Sequence, residues 1–118
     1  PEDYDLILTG DLSQVGSELL HELLSRQGIS LGNRHSDCGL MLYDRETQDV
    51  HAGGSGCGCS ASVLGGHILP AMERGVWKRV LFAATGALMS PVAHFFPARR
   101  IQPRHRPFGT VGRRIVYK

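Results

Sequence analysis

The chain has 118 residues, a formal net charge of +2, 42% hydrophobic and 20% charged residues. That is the size of one domain with an ordinary globular composition, which excludes a multidomain enzyme within this chain. No apolar run is long enough to span a bilayer, and Cys38, Cys57 and Cys59 are too few for a disulfide scaffold and point to a reducing compartment.

The chain opens at Pro1 with no charged-then-apolar leader, and it is expected to be a fragment without a signal peptide. Tyr4–Thr9 reads as a short buried strand ended by Gly10. Ser13 is expected to cap a helix over about 13–27, with Val15, Leu19, Leu20, Leu23 and Leu24 forming an apolar stripe. Gly28 stops it. Residues 30–37 read as polar loop, Cys38–Tyr43 as a second strand, and Asp44–Gln48 as a solvated turn. A glycine-rich turn follows over residues 52–58. Ser60 is expected to cap a second helix to about Arg74, with Val63, Leu64, Ile68, Leu69 and Met72 inward. Pro70 threatens a kink in it, because proline removes a helical hydrogen bond. Gly75 closes that helix. Arg79–Thr85 then reads as a strand buried on both faces. The alternation predicts an α/β unit with a single sheet, and two helices are too few to cover both faces.

Three candidate chemistries arise. Gly53–Ser60 is rich in glycine and precedes a helix, where free amides favour anions and glycines admit a ligand to the backbone. It matches neither the dinucleotide-binding fingerprint nor a P-loop. Its two readings are a ligand-lining turn, with Gly54, Ser55, Gly56, Gly58 and Ser60 as the binding residues, and a tight packing turn. Cys57 and Cys59 with His51 and His67 lack zinc spacing, so no metal site is expected. Nucleophilic catalysis by a cysteine would need a coupled base, and no spacing couples His35, His51 or His67 to one. No catalytic residue and no cofactor are therefore assigned. Trp77 reads as an aromatic at the edge of the core.

Four runs carry a resemblance: Asp5–Asp11, Asp37–Arg45, Gln48–Ser60 and Trp77–Pro91. Together they closely resemble the stage V sporulation protein AD family of spore-forming Firmicutes, over roughly residues 3–91. The resemblance implies the C-terminal half of a thiolase-like fold, layered α/β/α and incomplete here, from a much longer protein. It also implies dipicolinic acid as ligand, and partner proteins of the machinery that moves this dianion into the spore. The expected location is cytoplasmic, or peripheral at the spore inner membrane through those partners. The related condensing enzymes use a histidine and an asparagine beside their nucleophile. Gly10 or Asp11 stands at the histidine position and Cys57 at the asparagine position. The resemblance thus implies a scaffold without acyl-transfer chemistry, and the alternative is an acyltransferase of the condensing-enzyme class, akin to 3-oxoacyl carrier protein synthase III.

The tail breaks this pattern. Residues 1–93 carry six basic and eleven acidic residues, whereas 94–118 carry seven basic and none acidic. Such a tail can bind nucleic acid or an anionic membrane. The family pattern implies another origin. Its Phe-Gln-Gln-Gly-Glu-Ser-like run, read one base out of frame, gives Phe-Pro-Ala-Arg-Arg-Ile, the sequence at Phe96–Ile101. Residues 1–92 are therefore expected to be the half-domain. Residues 93–118 are expected to be a frameshifted, disordered tail with no nucleic-acid role, leaving the last strand without its closing neighbour.

Overall fold

The computed structural model describes residues 1–85 and the backbone of residues 114–117. It is an α/β unit with four parallel strands in the order β2-β1-β3-β4. The strands are β1 (Leu6–Thr9), β2 (His35–Asp37), β3 (Arg79–Ala83) and β4 (Arg114–Tyr117). Helix α1 (Ser13–Arg26) links β1 to β2, and α2 (Cys38–Met41) follows β2 directly. A longer helical run links β2 to β3: α3 (Cys59–Val63), a π turn (Leu64–Ile68) and α4 (Leu69–Glu73).

The core lies where this run meets one face of the sheet. Leu6 and Leu8 pair in register with Val80 and Phe82, and all four pack with Cys38, Cys59, Val63, Ile68 and Met72. Trp77 is partly buried against the same cluster. The π turn is where Pro70 is accommodated. Proline cannot donate to the ladder, and widening the helix by one residue just before it absorbs that loss. Leu69, expected inward, is 38% exposed instead, because the widened turn rotates it out of the apolar stripe. Asp5 fastens the entries of β1 and β3 together by accepting the Lys78 and Arg79 amides, both at 2.8 Å.

Several expectations are corrected. Cys38–Tyr43 is not a strand: β2 ends at Asp37, and Leu40 lies in α2. Asp37 stops the strand by capping α2, its carboxylate accepting the Gly39 amide at 2.9 Å. Ser13 does not cap α1. It stands at φ +57 and donates its hydroxyl to the Gly54 carbonyl at 2.6 Å. Ser60 does not cap α3, which starts one residue earlier at Cys59 behind Gly58. The edge of β3 is not open. Residues 114–117 pair along it from Arg79↔Arg114 to Phe82↔Tyr117, so their backbone groups satisfy those of β3. The rest of the expected disordered tail lies outside the described residues.

Asp37 is the hub of this half of the fold. It is fully buried, and its carboxylate accepts four hydrogen bonds. They come from the Thr9 hydroxyl (2.6 Å) and from the amides of Leu12 (2.9 Å), Ser13 (2.8 Å) and Gly39. The end of β1, the start of α1 and the start of α2 are thereby tied to one side chain. Since Thr9 donates to Asp37, its oxygen accepts from His35 Nε2 at 3.1 Å, and His35 Nδ1 accepts from His21 Nε2 at 2.9 Å.

Burial, and then the neighbouring His21, hold the His35 pKa below its ordinary 6.5, against the opposing pull of Asp37. A histidine depressed in the folded state stabilises the fold fully above its unfolded value. That contribution is lost as pH falls from there through the folded value. The denaturant midpoint should therefore drop between about pH 7 and pH 5, and His35→Gln should flatten that part of the profile. An unchanged slope in the variant would assign the decline to other groups.

Candidate functional site

The connections diverge at β1. Its following helix leads to β2 on one side, and the next crossover leads to β3 on the other. Open α/β sheets hold ligands beyond the carboxyl ends of the strands at such a reversal. Here those ends are Gly10 and Asp11 after β1, and Thr85 after β3. The glycine-rich turn before α3 closes over them.

The contacts are specific. Asp11 Oδ2 accepts the Ser55 hydroxyl at 3.1 Å and the Gly56 amide at 3.0 Å. The Asp11 amide donates to Thr85 Oγ1 at 3.1 Å. A Cβ on Gly10 would stand 2.8 Å from the Thr85 amide nitrogen, closer still to its hydroxyl, and 3.0 Å from Ser60 Oγ. Gly10 thus lets the ends of β1 and β3 and the start of α3 approach one another closely. Asp11 Oδ1 is buried and makes no hydrogen bond. The Thr85 hydroxyl approaches the carboxylate without hydrogen-bonding geometry. Together with the Gly56 amide and Ser55 hydroxyl it holds the Asp11 pKa below the ordinary carboxylate range, against the effect of burial.

Of the expected ligand residues, Ser55, Gly56 and Ser60 come together here. Gly54 faces elsewhere. Its amide donates to the Gly39 carbonyl at 2.8 Å, its own carbonyl takes the Ser13 hydroxyl, and a Cβ there would strike Leu42 at 2.8 Å. Gly54 serves packing between α1 and α2. Gly58 borders the crevice on its exposed side, its carbonyl taking the Ser62 amide at 3.0 Å. A Cβ on Gly56 or Gly58 would meet nothing within 4 Å, so the turn is open to solvent there.

The cysteines divide by environment. Cys57 is exposed and Cys38 and Cys59 are buried. Burial, with Asp37 and other neighbours adding to it, pushes the Cys38 thiol up to about 12. Burial and then Asp11 and Asp37 raise that of Cys59. Both stay neutral thiols at physiological pH. His51 is exposed, and His67 stacks edge-on with Trp77 at 6.0 Å. Among the described residues, no three histidines, cysteines or carboxylates gather to hold a metal.

Sequence reasoning missed Asp11 and Thr85 as parts of the site. The available signal was positional: each lies two residues past the carboxyl end of a strand.

Gly56 has φ +116, a conformation side chains rarely adopt. Gly56→Val should therefore cost about 1–3 kcal/mol through strain rather than crowding. It should also loosen the amide from Asp11. Cys57→Ser should leave a thermal melt unchanged. Equal melting temperatures for Gly56→Val and Cys57→Ser would contradict this account of the turn.

The family model for stage V sporulation protein AD matches residues 1–97. Stage V sporulation protein AD of Bacillus subtilis (strain 168) is 52% identical over 90 residues, covering 76% of this chain and 26% of that protein. The chain thus spans about a quarter of the length of that relative. The family match stops before all seven basic residues of 94–118.

Proposed function

This chain belongs to the stage V sporulation protein AD family, and on that premise we propose that it is the ligand-binding, non-catalytic C-terminal segment of a thiolase-like sporulation protein. Its ligand is dipicolinic acid, and it works with partner proteins of the spore uptake machinery. It acts in the cytoplasm or, through those partners, at the spore inner membrane.

The observation that carries this reading is the meeting of Asp11, the glycine-rich turn and Thr85 at the sheet reversal. It offers hydroxyls from Ser55, Ser60 and Thr85 and an open glycine turn, a lining suited to holding a small polar molecule. The nearby thiols Cys38 and Cys59 are kept neutral, which favours holding over acyl transfer. The basic residues beyond the family match take no part in this function.

Calorimetric titration of dipicolinate into a full-length family protein carrying this segment tests the reading, with release of coenzyme A from acyl-coenzyme A assayed in parallel. Saturable dipicolinate binding without acyl turnover is expected. Acyl turnover without dipicolinate binding would instead establish the condensing-enzyme alternative.

A further inference from the structure

We propose that His21 and His35 together bind a divalent transition-metal ion that takes two nitrogens at a right angle, of the Ni²⁺ or Cu²⁺ type. The site lies between α1 and the start of β2, and it stands apart from the ligand role proposed for the turn at 55–60.

The two rings already converge. His21 Nε2 lies 2.9 Å from His35 Nδ1, with the ring centroids 4.9 Å apart and the planes at 67°. Bonds from a metal to imidazole nitrogen are about 2.0–2.1 Å long. Two such bonds at a right angle hold their nitrogens about 2.9 Å apart, whereas a tetrahedral angle needs about 3.3 Å. The spacing of the pair is therefore that of neighbouring corners in the square-planar or tetragonal coordination typical of Cu²⁺ and Ni²⁺.

His35 is prepared as a ligand from behind. Its Nε2 donates to Thr9 Oγ1 at 3.1 Å, and Thr9 donates in turn to the fully buried Asp37 at 2.6 Å. That relay fixes the ring and its tautomer and leaves the Nδ1 lone pair directed at His21. Metal-bound histidines are held in this way, the other ring N–H given to a polar partner that orients the ring and raises its basicity. Burial, with His21 adding to it, keeps the His35 pKa below its ordinary 6.5, so near neutral pH the ion has no proton to displace from this ring.

His21 supplies the adaptable half. It is exposed on α1, so its ring can turn without disturbing the core. In the metal-free chain its Nε2–H donates to His35. On binding, that proton passes through solvent to Nδ1 of the same ring, and Nε2 offers its lone pair to the ion. Both imidazoles stay neutral, no proton is released overall and no electron moves. Water completes the coordination.

Calorimetric titration of Ni²⁺ into the untagged chain at about pH 8, where neutral histidine predominates, tests the site. Ni²⁺ is the probe because it does not oxidise the thiols. One ion per chain is expected, and the paramagnetic ion should broaden the ring signals of both His21 and His35 in the NMR spectrum. His21→Ala replaces an exposed residue. It should leave the circular dichroism spectrum unchanged and weaken Ni²⁺ binding by about tenfold or more. His35→Gln should weaken it likewise, whereas His51→Ala should bind as the unsubstituted chain does. Equal affinity in His21→Ala and the unsubstituted chain would assign the ion to other histidines and overturn the proposal. A chain that binds no Ni²⁺ would overturn it too. Tighter binding of Zn²⁺ than of Ni²⁺ would overturn the right-angle geometry.

Discussion

Asp37→Ala should unfold the chain under conditions where the unsubstituted protein is folded. The substitution strands the amides of Leu12, Ser13 and Gly39 and the hydroxyl of Thr9. Each buried donor left unpaired costs about 1–3 kcal/mol. For the four donors together that is about 4–12 kcal/mol, comparable to the whole stability of a small domain, about 5–15 kcal/mol. Asp37→Asn retains one good acceptor oxygen and should lose less. Circular dichroism during denaturant unfolding reads the difference. A midpoint for Asp37→Ala equal to that of the unsubstituted chain would remove Asp37 from its place as the hub.

The isolated chain should self-associate through α1, and replacing Val15, Leu19 and Leu23 together with glutamine should suppress this. These residues recur at four-residue spacing and form one continuous ridge. They are 59%, 53% and 57% exposed, while Ser13 and Ser17 are the buried residues of the same helix. An apolar ridge left in water favours association in proportion to the area it can bury. Sedimentation velocity should show oligomers for the unsubstituted chain at micromolar concentration and a smaller species for the triple variant. A monodisperse monomer in both cases would contradict the expectation.

That ridge also marks where the sequence is informative and where it is not. The periodicity over 13–27 locates α1 correctly, because local spacing creates the helix. Which face turns inward depends on what surrounds it, and here two serines face the fold. The apolar run at 38–43 is too short for periodicity to separate strand from helix. The decision falls to the Asp37 carboxylate capping Gly39, a contact invisible to hydropathy. β1, β3 and the helical run of 59–73 are legible because their apolar residues pack on one another. Pro70 signals an irregularity, and the chain answers it with a π turn.

The site divides in the same way. The glycine-rich turn announces itself through composition and the helix that follows. Its partnership with Asp11 joins positions 44 and 45 residues apart, and that of Asp11 with Thr85 joins positions 74 apart. Only the topology, with β1 flanked by β2 and β3, brings them to one place. Gly54 carries the same local signal as Gly56, yet its neighbours on α1 and α2 turn it to packing.

The central claim is that Asp11, the turn at 55–60 and Thr85 form one ligand site. Amide chemical shifts of a full-length family protein carrying this segment, followed during a dipicolinate titration, test it most directly. Saturable shifts are expected at Asp11, Ser55–Ser60 and Thr85, with α1 and the entry of β3 at Lys78 and Arg79 unmoved. Saturable shifts that leave those crevice amides in place would contradict it.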